Sequence, residues 1–252
     1  MRVCAFILHL PRATARRQNA HDLLAACGVE GEVWPAVDGG AMPATDRDAR
    51  VGTRLFDPAY PFTLKPGEIG CFLGHRAIWA ELQTRDADAA LVIEDDAALE
   101  HETFAQALEL ARAHVGRLGY IQFQTRDCTG KQAPIDAAGP CRLVVPEIGG
   151  LRTTAQMVGK RAAAHLLALS ETIDRPVDTF VQSHWHTGLR PAAITPSGVS
   201  DIADRLDGST IQGGGKRLSE KLRRELRRAR YRRAVARHAR HSAAPVKGGF
   251  DG

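Results

Sequence analysis

The chain has 252 residues, and its 34 lysines and arginines outnumber its 29 aspartates and glutamates to give a formal net charge of +5. With 44% apolar and 25% charged residues, it is neither a disordered chain nor a collagen or disulfide-built scaffold. The charge is unevenly divided: residues 1–215 hold 21 basic and 26 acidic residues, whereas residues 216–252 hold 13 basic and 3 acidic residues. We therefore expect a globular domain over 1–212 and a separate segment over 213–252, made of a flexible glycine break, a basic amphipathic helix and a disordered end.

The cysteine content and the hydropathy of the chain indicate in which cellular compartment the protein works. The five cysteines are odd in number and no two have the CxxC spacing, so neither a disulfide framework nor a zinc motif is indicated. The apolar run from Val3 to Leu8 is too short for a signal-peptide core with its cleavage site, and far too short to cross a membrane. We therefore expect a soluble, cytoplasmic protein.

The N-terminal part of the chain alternates strand and helix patterns. Val3–Leu10 is an apolar run typical of a buried strand, and a helical stretch follows from Thr14. Val33–Val37 predicts a second short strand, which ends at an Asp-Gly-Gly turn. Residues 41–66 contain four prolines and are predicted to form a long functional loop.

The alternation continues through the rest of the domain. Helices are predicted from Pro66, at about 101–115 and over Arg161–Leu169, with strands at Ala89–Ile93, Tyr120–Phe123 and Ala155–Val158. Residues 124–141 are predicted to be mostly loop, and Leu189–Ile194 an edge strand because it contains Pro191. Strands alternating with helices predict an α/β domain with a mostly parallel central sheet flanked by helices. In such sheets, ligands bind at the carboxyl ends of the strands.

Three consecutive acids, Glu94, Asp95 and Asp96, follow the predicted strand Ala89–Ile93. Adjacent carboxylates repel one another, and a divalent cation offsets that cost. Oxygen ligands suit Mg²⁺ or Mn²⁺, which bind through one or two carboxylates together with substrate phosphates. Residues i and i+2 leaving a strand point the same way, so Glu94 and Asp96 are predicted to share the metal and Asp95 to point to the other side. The alternative is a solvated acidic turn that caps the next helix.

The segments around these acids resemble glycosyltransferase family 25. Residues 64–79, LKPGEIGCFLGHRAIW, and residues 90–97, ALVIEDDA, are similar to the signature of that family. Residues 7–10 with the arginines after them, residues 36–39 and residues 176–178 resemble three further elements of the family in the same order. The resemblance covers about the first 200 residues.

The resemblance implies a GT-A-type fold, a nucleotide-sugar donor that is most often UDP-galactose, a divalent metal and inversion at the anomeric carbon. The family includes bacterial lipooligosaccharide galactosyltransferases and procollagen galactosyltransferases. The chain departs from the family pattern at Gly74, where Ser is usual, and at His9, where Asn or Ser is usual. These departures concern contacts to donor or acceptor and leave the reaction class unchanged.

The metal is expected to neutralise charge on the leaving diphosphate of the donor. We assign Glu94 and Asp96 as its ligands, with Asp95 nearby toward the ribose or sugar. His184 and His186 lie further along the chain and are candidates to complete the metal shell, although surface histidines are commoner than ligands.

Other residues are assigned to the donor and to proton transfer. Inversion needs a general base, and the resemblance points to Asp178; the alternative is that Asp178 only N-caps the following helix. Arg12, Arg16 and Arg17 are expected to pair with diphosphate oxygens, unless the last two are solvated helix residues. Asp38 is expected to accept hydrogen bonds from uracil or ribose, or else to be a simple turn residue.

Glu68 and His75 are seven residues apart, which is two helical turns, so they share one face of the predicted helix. The resemblance favours a role for both at the active site. The alternative is an acid that complements the helix dipole with a core histidine behind it.

The basic segment 216–241 is predicted to be an amphipathic helix with Leu218, Leu222 and Leu226 on one side. Such a helix can lie in an anionic membrane interface, where it would hold the enzyme beside a lipid-linked acceptor. The alternative is that the leucines pack on the domain. Nucleic acid is a poorer partner, because Tyr231 is the one aromatic residue among the basic residues.

Two functions remain open at this level. The first is a metal-dependent inverting glycosyltransferase that moves a hexose, galactose from UDP-galactose, onto a cell-envelope saccharide such as lipopolysaccharide or lipooligosaccharide, working at the inner face of the membrane. The second is a non-enzymatic binding protein that engages nucleic acid through its basic tail and uses the acids structurally.

Overall fold

The computed structural model describes residues 1–206, 218–246 and 249–250. The strands of the main sheet are β1 (Val3–His9), β2 (Gly31–Pro35), β3 (Ala89–Glu94), β5 (Tyr120–Phe123), β6 (Gln132–Ala138), β7 (Cys141–Pro146), β8 (Ala155–Gly159) and β9 (Ala192–Thr195). Two more strands, β4 (Ala97–Leu99) and β10 (Val199–Asp201), form a separate antiparallel pair. The helices are α1 (Arg17–Ala26), α2 (Ala44–Arg50), α3 (Pro66–Thr84), α4 (His101–Leu118), α5 (Lys160–Leu169), α6 (Val177–Gln182), α7 (His184–Thr187) and α8 (Leu218–Arg240).

The main sheet has the spatial order β2-β1-β3-β8-β5-β9-β7-β6. β1 pairs in parallel with β2 and β3, and β5 pairs in parallel with β9. β8 is inserted between β3 and β5 and runs antiparallel to both, and β7 runs antiparallel to β9 and β6. Six of the eight strands therefore point in one direction, which confirms the predicted α/β domain with a mostly parallel sheet flanked by helices.

Alternate residues of the central strands face two apolar layers. Ala5 and Ile7 of β1 pack in the layer that holds residues of α1 and α4, whereas Phe6 and Leu8 pack in the layer that holds residues of α3 and α5. Because both faces of the sheet are covered, β1 and β3 are apolar at nearly every position, which explains their unbroken apolar runs.

Two local predictions are wrong, and a third misses a strand. Residues 41–66 contain the helix α2, which follows Pro43 and has an acid in its first turn and arginines in its last, matching the helix dipole. Residues 124–141 are mostly outside strands, as predicted, but they also contain β6, which pairs with β7. The strand predicted at the edge over Leu189–Ile194 is instead β9, inside the sheet between β5 and β7, because Pro191 precedes the first paired residue.

The helix α8 packs on the domain through its C-terminal half. Val235 and Ala239 are buried there, whereas Leu222 and Leu226 are 65% and 52% exposed. The leucine side of the predicted amphipathic helix therefore does not pack on the domain at these two positions. No helix in the described part of the chain is long and apolar enough to cross a membrane.

Part of the segment after α8 is ordered against the domain. Ala244 is buried, and the backbone N–H of Phe250 donates a hydrogen bond to the carbonyl oxygen of Arg117 at 3.0 Å. The predicted disordered end is therefore wrong for these two residues. The glycine break at 213–215 lies outside the described residues, so the domain boundary at 212 stays a prediction.

Candidate active site

The three acids lie at the carboxyl end of β3. Glu94 is the last residue of the strand, and Asp95 and Asp96 form the turn into β4. Because β1 and β3 are parallel neighbours, the end of β1 and the turn after it lie beside these acids and supply His9 and Arg16.

Glu94 is held by side chains from two other parts of the fold. Its Oε1 lies 3.2 Å from His75 Nε2 on α3 and 2.7 Å from Thr153 Oγ1. Cys71 Sγ lies 3.9 Å from the same oxygen. Burial disfavours the ionised carboxylate, but the hydrogen bonds from His75 and Thr153 outweigh it and lower the pKa of Glu94. The fold thus keeps an anionic group at the end of the strand.

Asp95 is buried and faces protein groups. Its Oδ2 lies 2.7 Å from His9 Nδ1, and its Oδ1 accepts a hydrogen bond from Arg16 Nη1 at 3.0 Å. The prediction that Asp95 points away from Asp96 is wrong, because the chain turns after Glu94 and both aspartates reach the same nitrogen of Arg16. Strict alternation holds only while the chain is extended.

Asp96 borders the open space of the site. Its Oδ2 accepts a hydrogen bond from Arg16 Nη1 at 2.8 Å. Burial and the negative charge of Glu94 raise the pKa of Asp96 to about 7, although Arg16 opposes this shift. A further cation beside Asp96 would therefore stabilise its ionised form.

Two adjoining cavities meet at these acids. The acid cavity, about 570 Å³, is lined by two arginines, Arg126 and Arg152, and by six acids, Glu68, Glu94, Asp96, Asp178, Asp201 and Asp204. The small cleft, about 110 Å³, is lined by Arg12, Arg16, Asp38 and the three consecutive acids. Glu94, Asp96 and Cys71 line both spaces.

The residues present fit a hard divalent cation. Glu94 and Asp96 offer carboxylate oxygens to the same cavity, where acids outnumber basic residues. Mg²⁺ and Mn²⁺ take oxygen ligands of this kind. The pKa of Asp96 is raised by burial and by Glu94 although Arg16 is bonded to it, so Arg16 alone does not offset these two effects.

Asp178 lies in the first turn of α6 and not at its N-cap, which is Pro176. It accepts hydrogen bonds from the backbone N–H groups of Thr179 at 2.6 Å and Arg152 at 3.2 Å. Burial raises the pKa of Asp178 in spite of these bonds. Asp178 is therefore not the N-cap residue of α6, as the alternative required. Its carboxyl group lines the acid cavity.

The predicted donor-binding residues are only partly brought together. Arg12 and Asp38 form an ion pair in the small cleft, with Nε 2.6 Å from Oδ2, and Asp38 also accepts the backbone N–H of Gly40 at 2.9 Å. Arg16 borders the cleft but is bonded to the two aspartates. Arg17 is exposed at the start of α1 and lines neither the cleft nor the acid cavity.

Glu68 and His75 differ in depth. Glu68 lines the acid cavity, and its Oε2 accepts the backbone N–H of Lys65 at 2.7 Å, which closes the first turn of α3. His75 is fully buried and bonded to Glu94. Glu68 thus both stabilises the first turn of α3 and lines the acid cavity. His75 does not line the cavity and contacts it only through Glu94.

His184 and His186 do not join the site. His184 is fully buried, with Nδ1 2.8 Å from Ser242 Oγ and Nε2 3.0 Å from the carbonyl oxygen of Glu147. Burial lowers the pKa of His184 to about 4. His186 stacks on Phe56 with ring centroids 3.7 Å apart. The prediction that these histidines complete the metal shell is wrong.

Sequence reasoning named His75 but missed three other residues around Glu94 and His75, namely Cys71, Thr153 and Gln156. Cys71 and His75 are four residues apart on α3, a spacing that places them on one face and was a usable signal. Thr153 and Gln156 gave no such signal, because they reach the site through the antiparallel insertion of β8 beside β3. Gln156 Nε2 lies 3.1 Å from His75 Nδ1.

A family model described as "Glycosyltransferase family 25 (LPS biosynthesis protein)" matches residues 3–181. The chain belongs to glycosyltransferase family 25. The matched range runs from β1 into α6 and includes the three consecutive acids and Asp178.

Curated members of family 25 are similar over shorter stretches. A "Glycosyltransferase 25 family member" of Drosophila melanogaster is 35% identical over 99 residues, 38% of this chain and 16% of that protein. "Procollagen galactosyltransferase 2" of Homo sapiens is 34% identical over 110 residues, 42% and 17% of the two chains. "Inactive glycosyltransferase 25 family member 3" of Homo sapiens is 35% identical over 99 residues, 38% and 16%. The alignments thus span less than a fifth of these relatives, and family 25 includes proteins named as inactive.

Among solved structures, a glycosyltransferase described as involved in glycosylation of the major capsid of PBCV-1 aligns over 67% of each chain. The sequence identity is 9% and the TM-score 0.33.

Proposed function

We propose that this family 25 member is a metal-dependent inverting glycosyltransferase that moves galactose from UDP-galactose onto a saccharide of the cell envelope, such as lipopolysaccharide or lipooligosaccharide. The observation that carries the proposal is the acid cavity, which Glu94, Asp96 and Asp178 line together at the carboxyl end of β3. Its size suits a sugar with part of a nucleotide.

Glu94 and Asp96 would hold Mn²⁺ or Mg²⁺. When bound, the ion neutralises negative charge on the departing diphosphate. The small cleft beside it is suited to the nucleotide: Asp38 offers a carboxylate to uracil or ribose hydroxyls, and Arg12 can exchange its bond to Asp38 for phosphate oxygens. Asp95 borders this cleft as well, but its oxygens bind His9 and Arg16, so it positions Arg16.

Asp178 is the proposed general base. It lines the acid cavity, and its raised pKa matches a group that takes a proton from the acceptor hydroxyl as the bond to the sugar forms. Glu68, at the same cavity wall, is placed to bind sugar hydroxyls. His75 keeps Glu94 ionised and oriented.

The acceptor is assigned to a third cavity of about 530 Å³, which shares Arg126, Leu151 and Arg152 with the acid cavity. An acceptor bound there would lie next to the acid cavity, across the wall that these three residues form. A lipid-linked saccharide would also bring a membrane close. The exposed Leu222 and Leu226 stand among arginines on α8, a pattern suited to the anionic inner face of a membrane.

The proposal is tested by incubating the full chain with a panel of nucleotide sugars and saccharide acceptors and identifying products by mass. We expect transfer of one hexose from UDP-galactose, loss of transfer in EDTA and its recovery with Mn²⁺. Nuclear magnetic resonance of the product should show the inverted anomer. Retention of configuration would overturn the assignment of Asp178 as base, and transfer that survives EDTA would overturn the metal assignment.

Membrane attachment has its own test. Wild-type protein should sediment with vesicles that contain phosphatidylserine and not with neutral vesicles. The double change Leu222→Ser and Leu226→Ser should release it, while Ala234→Ser, a half-buried position further along α8, should not. Equal sedimentation of the double variant and the wild type would remove the membrane from the proposal.

A further inference from the structure

A second donor set lies on the buried side of Glu94. Ligand atoms of Cys71, His75 and Glu94 all lie within 4.8 Å of one another. His75 Nε2 and Glu94 Oε1 are 3.2 Å apart, and Cys71 Sγ and the same oxygen are 3.9 Å apart. Around tetrahedral Zn²⁺, with bonds of about 2.0–2.3 Å, ligand atoms are separated by about 3.3–3.8 Å. The two separations at Glu94 Oε1 are therefore close to the spacing of zinc ligands, and the third, between Cys71 and His75, is at most 4.8 Å.

The helix α3 gives this set a rigid base. Cys71 and His75 are one helical turn apart and leave the same face. His75 is fully buried, whereas Cys71 and Glu94 line the acid cavity. An ion held by the three atoms thus lies at the inner wall of that cavity, with a fourth position open to it.

Gln156 supplies a second, independent observation. Its side chain is fully buried, its Nε2 lies 3.1 Å from His75 Nδ1, and its Oε1 has no hydrogen-bond partner among the described residues. A histidine that binds metal through Nε2 carries its proton on Nδ1 and donates it to an acceptor. Rotating the Gln156 amide by half a turn brings Oε1 to Nδ1 and provides that acceptor.

We infer that Cys71, His75 and Glu94 form a site for a thiolate-binding divalent ion such as Zn²⁺, distinct in chemistry from the carboxylate pair that suits Mg²⁺ or Mn²⁺. Thiolate and imidazole ligands select zinc over the two harder ions. Binding releases the proton of the Cys71 thiol to solvent. Because Glu94 belongs to both donor sets, zinc here competes with the donor metal and inhibits transfer, a consequence that rests on the proposed function.

Co²⁺ is the probe, because it takes the ligands of zinc and its bond to a thiolate gives an intense charge-transfer absorption. Titration of the reduced full chain should give this band with one equivalent of Co²⁺. Cys71→Ser should abolish the band, and Cys128→Ser, at a half-buried cysteine that is not part of the donor set, should keep it. Gln156→Leu should weaken Co²⁺ binding by about 10–100-fold.

Absence of the band in the wild type, or an equal band in Cys71→Ser, overturns the inference. Should Cys71→Ser fail to fold by circular dichroism, Zn²⁺ protection of Cys71 against alkylation in the wild type, read by peptide mass spectrometry, decides instead: unchanged labelling overturns the site. Neither readout depends on transfer. A chain without transferase activity can therefore still confirm the site, and a chain without the band leaves the transferase proposal standing.

Discussion

Arg16 donates a 2.8 Å hydrogen bond to Asp96 where the acid cavity and the small cleft meet. The same guanidinium nitrogen donates to Asp95, so one cation balances two of the three acids. We expect Arg16→Gln to lower the free energy of unfolding by about 3 kcal/mol, because Asp96 loses its cationic partner and Asp95 keeps only His9 and the Leu10 N–H. Urea denaturation at pH 7.5 measures this. Arg17→Gln is the matched control, since Arg17 is exposed, and should change stability by less than about 0.5 kcal/mol. Equal midpoints for the two variants would contradict the balancing role.

Asp96→Asn should abolish the metal-dependent turnover of UDP-galactose. The change keeps the size of the side chain but removes the charge that the proposed metal needs, so we expect a loss of at least about 100-fold in the rate of UDP release at saturating donor. Glu109→Gln, at an exposed acid on α4, should leave the rate unchanged. If Asp96→Asn stays fully active, the metal assignment is wrong, whereas a wild type without turnover of any donor would favour the non-enzymatic alternative.

Asp178→Asn should separate binding from chemistry. The amide has one oxygen, which can keep the hydrogen bond from the Thr179 N–H but not also the one from Arg152. It cannot accept a proton, so transfer should fall by about 10²–10⁴-fold while Mn²⁺ and UDP still bind. Calorimetric titration of UDP with Mn²⁺ provides the binding measurement. A parallel loss of binding and transfer would assign Asp178 to donor binding instead.

We expect the burial of His184 to make the protein less stable to unfolding at acidic pH. The folded-state pKa of His184 is about 4 and lies below the ordinary histidine value of 6.5, so the neutral ring is favoured by folding. This contribution is fully present above pH 6.5 and is lost as the pH falls toward 4, up to about 3 kcal/mol. Urea midpoints at pH 7.5 and 5 should therefore differ less in His184→Gln than in the wild type. The same pH dependence in both proteins would exclude His184 as its source.

Tyr231 on α8 contacts both a cavity residue and a buried cation. Its ring meets Tyr60, which lines the acid cavity, at 5.6 Å between centroids, and its hydroxyl lies 3.4 Å from Arg175 Nη1. We expect Tyr231→Ala to lower stability by about 2 kcal/mol and to raise the KM for the donor, because the wall at Tyr60 loses its support. Arg232→Ala, at the exposed neighbour, should do neither. An unchanged KM would show that α8 does not steady the cavity.

The outline of the fold and the centre of the site were predictable because both depend on local patterns. The apolar runs of β1 and β3, the Pro66 start of α3 and the acids after β3 all stand where the sequence indicates them. Pairing was not predictable, since insertion of β8 between β3 and β5 follows from contacts between distant residues. For the same reason the sequence did not reveal that Thr153 and Gln156 reach the site. It also wrongly suggested His184 as a metal ligand, whereas His184 bonds to Ser242 and Glu147.

The partners of the arginines were also not predictable from the sequence. The sequence assigns Arg12 and Arg16 to phosphate, yet the folded chain pairs them with Asp38 and with the aspartates after β3. Residue type shows that an arginine suits an anion, but not which anion lies within reach.

The contact between Tyr60 and Tyr231 can form only late in translation. Residues are added from the N-terminus, so β1, α3, β3 and the three acids are synthesised well before α8. The cavity wall at Tyr60 gains its partner only after Tyr231 has left the ribosome. A nascent chain that stops short of α8 carries the acids without the contact that steadies their cavity.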